Sequence, residues 1–207
     1  MQTQITNWES FEDLIQQIKS YSAISSQEIP LEIERKWLVN DNLIDYLKLN
    51  YQVKSHYEVV IGYLSVNPEI RYHSKRLITD EPEVTNWLTY KTDGDLTREE
   101  YMVEVTMSTA LKMAKIIRED KKIKPFKGSK FITKDYWVFD IGDGKELEIS
   151  VVDSPMKFIY LEIEFPDVDS ASSYHFPDDI DRFIEKEVTN DPYYKMKKYW
   201  SRTRLKK

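Results

Sequence analysis

Period-two alternation is the feature that most constrains this chain. From Leu31 to Val39 the sequence reads Leu-Glu-Ile-Glu-Arg-Lys-Trp-Leu-Val. A strand points successive side chains to opposite faces, so Glu32, Glu34 and Lys36 share one face, while Leu31, Ile33, Arg35 and Trp37 share the other. Two carboxylates one strand repeat apart, about 7 Å, with a Lys beside them, suit a hard cation and a phosphate. A solvated strand face accounts for the same three residues, and for one strand taken alone it is the simpler account.

The pattern recurs. Strands are predicted over Tyr57–Val66, Ile70–Lys75, Thr85–Thr92, Thr97–Thr106, Phe131–Ile141, Lys145–Asp153 and Lys157–Phe165. Asn67-Pro68-Glu69, Asp93-Gly94-Asp95 and Gly142-Asp143-Gly144 punctuate them as turns. Helices are predicted over residues 7–20 (capped by Asn7, with Trp8, Phe11, Ile15 and Ile18 at helical spacing), Asp41–Leu49, Ser108–Glu119, Pro177–Lys186 and the basic tail Tyr193–Lys207. In the third of these, Ser108 is the expected cap, and Leu111, Ala114 and Ile117 the expected inner face. Many evenly spaced strands joined by hairpin signals predict an α+β fold: a closed antiparallel β-barrel with flanking helices. Residues 1–28 are expected to form a helical extension and a Ser/Gln-rich linker (Ser22–Glu28), and residues 29–207 the barrel domain.

Composition narrows the chemistry. The 207 residues suffice for one sizeable domain. There is no Cys, which excludes disulfides, thiolate metal sites and Cys catalysis, and three His argue against a multi-histidine zinc site. The net charge of −6 argues against nucleic-acid binding over the whole surface. No apolar run reaches the roughly 18 residues of a membrane span, and the acidic N-terminus lacks a charged-then-apolar leader. A cytoplasmic location with neither membrane nor nucleic-acid partner is therefore expected. A homodimer is expected only because two-fold dimers are the commonest oligomers.

One face of each strand collects charge. The acids are Glu32, Glu34, Glu100, Glu104, Asp140, Glu162 and Glu164; the bases are Lys36, Arg71, Lys91, Arg98 and Lys130, with His73 beside them. Two arrangements satisfy this pattern. Either the polar faces meet water outside and the apolar faces fill the barrel, or helices cover the apolar faces and the charges line a water-filled interior. The second arrangement requires mutual pairing or bound ions, because an unpaired buried charge costs several kcal/mol. His56 and His175 are expected in loops or at the surface, and the five Trp in packing.

Seven segments, in order, resemble the CYTH superfamily of triphosphate tunnel metalloenzymes. They are Glu32-Ile-Glu34-Arg-Lys36 (ExExK), Gly62-Tyr-Leu-Ser with Ile70-Arg71-Tyr-His73, Leu88-Thr-Tyr-Lys91, Arg98-Glu-Glu100, Trp137-Val-Phe-Asp140, Leu161-Glu162-Ile-Glu164-Phe165 and Glu187-Val-Thr-Asn-Asp191-Pro-Tyr-Tyr194. The resemblance implies an eight-stranded tunnel, Mg²⁺ or Mn²⁺, and a triphosphate substrate. It implies Glu32, Glu34, Asp140, Glu162 and Glu164 as metal ligands, and Lys36, Glu100 and Asp140 as catalytic groups. Lys36, Arg71, His73, Lys91, Arg98, Lys130 and Lys195 are implied as substrate contacts. Four positions depart from the family pattern: His73 stands where a second Arg is usual, Met102 where a further acid is usual, Lys130 where Arg is usual, and Glu185 where a Gly is usual before the Glu187-Val-Thr segment. Metal-dependent hydrolysis of inorganic tripolyphosphate is the expected activity. The alternatives are a class IV-type adenylyl cyclase acting on ATP, a thiamine triphosphatase, and a polyphosphate or nucleotide sensor without turnover.

Overall fold

Local alternation produces nine strands among the described residues, and their pairing closes the sheet. The computed structural model describes residues 5, 8–23, 30–153 and 158–205. The strands are β1 (Leu31–Val39), β2 (Gln52–Val66), β3 (Glu69–Leu77), β4 (Val84–Lys91), β5 (Thr97–Glu104), β6 (Ile132–Asp140), β7 (Glu146–Val152), β8 (Phe158–Glu164) and β9 (Ile184–Glu187). The helices are α1 (Phe11–Ala23), α2 (Leu43–Asn50), α3 (Met107–Glu119), α4 (Val168–Ser173), α5 (Asp178–Asp181) and α6 (Met196–Arg204). The sheet runs β5-β4-β3-β2-β6-β7-β8-β1, and β1 pairs back onto β5 through Glu32↔Arg98, so eight antiparallel strands form a closed barrel with flanking helices. Closure leaves those eight strands no free edge. β9 adds to the far end of β1 through Trp37↔Glu187.

The apolar strand faces point outward and the helices cover them. On one side Ile33, Trp37, Leu161 and Ile163 pack with Leu43 and Leu47 of α2, Ala171 of α4 and Ile180 of α5. On the other side α1 contributes Leu14 and Ile18, α3 contributes Ala110, Met113 and Ile117, and α6 contributes Met196, Tyr199 and Trp200. Gly62 lets α3 approach β2: a Cβ there would lie 2.5 Å from Ile117 Cδ1 and 2.9 Å from the Phe131 ring. The first helix thus packs on the barrel, with Lys19 Nζ 4.7 Å from the centre of the Tyr101 ring.

Several elements differ from expectation in extent. α1 begins at Phe11, with Ser10 Oγ accepting from the Asp13 N–H at 3.1 Å. The expected Asn7 cap and most of the expected linker lie outside the described residues, while Ser22 and Ala23 belong to the last turn of α1. β2 starts at Gln52, because its first half pairs with β6. His56 is therefore a strand residue, stacked on Trp137 at 3.5 Å and paired with Asp135. Thr106, not Ser108, caps α3, and Leu111 faces solvent, because Thr109, Met113 and Ile117 form the buried stripe. The helix expected over Pro177–Lys186 is one turn, after which the chain extends as β9. Arg204, in the basic tail helix, is fully buried and donates to both Asp153 oxygens at 2.9 Å.

Candidate functional site: a charged barrel interior

The inward faces carry the charge, so the second of the two arrangements is the one adopted. From β1, Glu32, Glu34 and Lys36 line a single cavity, joined by Glu162 and Glu164 of β8. Arg71 and His73 of β3, Lys91 of β4, and Arg98 and Glu100 of β5 line the same cavity. Lys195, preceding α6, reaches it from one end and is paired with Asp95 of the β4–β5 turn.

Two expected residues stand apart. Asp140 shares the alternation of the inward residues on β6 but is the last residue of that strand, and its Oδ1 accepts the Gly142 N–H at 2.8 Å. Lys130 precedes β6, and its Nζ donates to the carbonyls of Arg118 and Asp120 at 2.6 and 2.7 Å. Neither lines the cavity. β6 instead sends in Lys134, and β7 sends in Glu148. Glu69, Lys75 and Lys197 complete the additional charged lining. Alternation back from Asp140 reaches Lys134, and Glu148 sits between outward Leu147 and Ile149; both were readable by parity once β6 and β7 were phased.

Cross-strand pairing assembles an ion-pair lattice. Lys91 Nζ donates to Glu32 Oε1 and Oε2 at 2.9 and 3.0 Å and lies 2.9 Å from Glu100 Oε2. Arg98 Nε donates to Glu32 Oε2 at 2.5 Å, and its Nη2 is 3.7 Å from Glu34 Oε1. Arg71 Nη2 donates to Glu100 Oε1 at 3.2 Å. Lys36 Nζ lies 2.5 Å from Glu162 Oε1, across the β1–β8 pairing.

The fields in the cavity follow. Burial would raise the Glu32 carboxyl, but Lys91 and Arg98 overcome it and hold the group far below the usual range. Burial and the neighbouring Glu162 push Glu34 up to about 8. Burial and Glu148 push Glu164 up to about 7. Burial, reinforced by Arg71 and Lys75, keeps His73 well below its ordinary value and therefore neutral. Burial lowers Lys134 to about 7, with Lys36 and Arg71 adding to the effect against Glu162. His73 is 4% exposed, and neither ring nitrogen has a hydrogen-bond partner.

The residues fit a hard divalent cation. Glu32, Glu34 and Glu164 each offer a carboxylate oxygen, and these oxygens lie within 4.8 Å of one another. All-oxygen donors are what Mg²⁺ or Mn²⁺ takes. The raised proton affinities of Glu34 and Glu164 express burial and the repulsion of neighbouring carboxylates, Glu162 for the first and Glu148 for the second, with Glu32 adding to both, and a cation would relieve them. Glu162 is held instead by Lys36 and stands outside that trio.

Fold and site together define a closed antiparallel barrel with a charged tunnel. An inorganic triphosphatase of known structure is 21% identical, covering 81% of this chain and 93% of its own at a TM-score of 0.48. A protein from Pyrococcus horikoshii OT3 is 18% identical over 68% of this chain and 82% of its own, at 0.48. A Bacillus halodurans protein described as a candidate adenylate cyclase is 15% identical over 69% and 84%, at 0.46. No protein-family model and no curated protein matches the chain. At these identities and scores the likenesses fix neither substrate nor reaction. Among the described residues no helix is long and apolar enough to cross a membrane.

Proposed function

We propose that the chain is a triphosphate tunnel protein of the CYTH type and hydrolyses inorganic tripolyphosphate with Mg²⁺ or Mn²⁺. The observation that carries this reading is the placement of three convergent carboxylates, Glu32, Glu34 and Glu164, in one cavity with Arg71, Lys91, Arg98 and Lys134. A cation held by those carboxylates supplies charge neutralisation at the phosphoryl group and polarises the attacking water.

The chain's own residues do the rest. Arg71, Lys91, Arg98 and Lys134 grip the phosphoryl oxygens and take up the negative charge that develops on the leaving group. Glu148, whose proton affinity is raised by burial, accepts the proton of the attacking water as the new P–O bond forms and the bridging P–O bond breaks. Lys36 holds Glu162 in place behind the trio. Lys195 and Lys197 stand at one end as further phosphate contacts.

The test is phosphate release from tripolyphosphate, ATP and thiamine triphosphate, each with Mg²⁺, Mn²⁺ or EDTA, with cyclic AMP measured alongside. Metal-dependent release from tripolyphosphate above the other two is expected, and its loss in Glu32→Gln/Glu34→Gln. Cyclic AMP formed from ATP would move the reading to a cyclase. One observation favours a second reading, a polyphosphate sensor without turnover: His73 is neutral where a cation would strengthen the phosphate grip. Tight tripolyphosphate binding with no product in any metal would establish that alternative.

A further inference from the structure

Two of the basic groups proposed to grip phosphate, Lys91 and Arg98, already neutralise Glu32, one of the three acids proposed to hold the cation. Glu32 accepts three charge-assisted hydrogen bonds, two from Lys91 and one from Arg98. Lys91 is 4% exposed and also bridges to Glu100. A carboxylate offers about four lone-pair sites, so Glu32 is nearly saturated. The cavity nevertheless retains an unsatisfied buried group besides His73: Arg71 Nε has no hydrogen-bond partner. Part of the lining is therefore built for something other than itself.

From this lattice, and resting on the reading above, we infer that polyphosphate and divalent cation bind the tunnel cooperatively by exchanging partners with it. A cation arriving alone meets a Glu32 already neutralised, with two positive groups within hydrogen-bond distance of its oxygens. A polyphosphate arriving alone must draw Lys91 and Arg98 away and leave a buried carboxylate unpaired, which is strongly unfavourable. When both arrive, Lys91 and Arg98 pass to phosphoryl oxygens, Glu32 passes to the cation, and no charge is stranded. The coupling is reciprocal by linkage: whatever factor polyphosphate adds to cation affinity, the cation adds to polyphosphate affinity. Lys91 and Arg98 therefore act as counter-ions that hold the cation site shut until an anion claims them.

The experiment is titration of the full chain with MnCl₂ alone, followed by calorimetry and by the electron spin resonance signal of free Mn²⁺. Lys91→Met and Arg98→Gln remove the competing counter-ions, so each is expected to bind Mn²⁺ more tightly than the unaltered chain, by roughly 5- to 150-fold, the usual span of a coupling free energy. Glu32→Gln, titrated with tripolyphosphate in EDTA, is expected to bind that anion more tightly than the unaltered chain, because Lys91 and Arg98 are released. Thermal melts with and without Mn²⁺ identify any variant that fails to fold, and the three variants are independent. Equal or weaker Mn²⁺ binding in both cation variants, together with unchanged anion binding in Glu32→Gln, overturns the inference. If the unaltered chain binds neither Mn²⁺ nor tripolyphosphate, singly or together, the functional reading itself fails.

Discussion

Lys36 and Glu162 face each other across the β1–β8 pairing, with Nζ 2.5 Å from Oε1 and little of either side chain exposed. Removing one partner of a buried pair leaves the other charge stranded, at a cost of about 3–5 kcal/mol. Lys36→Met and Glu162→Gln should each lower stability in urea unfolding. The double variant should lose less than the sum of the two, because no charge is left alone. Additive losses would mean that the pair is not coupled.

Arg204 and Asp153 form a second buried pair, this one outside the tunnel. Arg204 Nη2 donates to both Asp153 oxygens at 2.9 Å and to the Phe131 carbonyl at 2.8 Å, and Tyr199 Oη donates to Asp153 at 2.7 Å. This network ties α6 to the β7 end. Arg204→Met should destabilise the chain by about 3–5 kcal/mol in urea unfolding. An unfolding midpoint within error of the unaltered chain would show that the network contributes nothing.

Gly62→Ala tests the approach of α3 to the barrel. The new Cβ would sit 2.5 Å from Ile117 Cδ1 and 2.9 Å from the Phe131 ring. Overpacking of this kind costs about 1–3 kcal/mol, and a lower melting temperature is expected. Adding Ile117→Val, which shortens the clashing side chain, should recover part of the loss. No recovery would place the strain elsewhere.

Most of the barrel was legible because the signal was period two. The polar faces of β1, β3, β5 and β8 read directly as Glu32/Glu34/Lys36, Arg71/His73/Lys75, Arg98/Glu100 and Glu162/Glu164, and each set points inward. What alternation alone left open was which face turned inward. Helices decide that, since α2, α3 and α6 cover the apolar faces. The misplaced residues have a common cause. Asp140 and Lys130 were gathered with the charged strand faces and matched to motif positions, whereas the cavity admits a residue by strand phase and by height along the barrel. Asp140 has the phase but ends its strand, and Lys130 lies before the strand begins. Glu148 escaped notice because the Glu146/Glu148 face of β7 carries no Lys or Arg within the strand, and so looks like any solvated face. The buried pairing of Arg204 with Asp153 joins residues 51 positions apart, and no local pattern announces it.

The raised carboxyls make a prediction about pH and metal together. Glu34 moves from 4.5 in the unfolded chain to about 8 in the folded one, and Glu164 to about 7. Between these values the folded chain binds more protons than the unfolded chain, so this contribution to stability falls as pH rises. The penalty is absent below 4.5 and complete above about 8. His73 and Lys134, both held below their ordinary values, push the other way as pH rises. Comparison with a Glu34→Gln variant cancels those shared contributions. Glutamine mimics the protonated acid, so in EDTA the variant should match the unaltered chain near pH 4.5 and exceed it increasingly toward pH 8. Mn²⁺ should reverse the order at pH 8, stabilising the unaltered chain more than Glu34→Gln because only the carboxylate can ligate. Melting temperatures across that pH range, in EDTA and in Mn²⁺, give the answer. Parallel curves in EDTA would show that Glu34 carries no shifted proton, and equal Mn²⁺ stabilisation of the two proteins would remove it from the cation site.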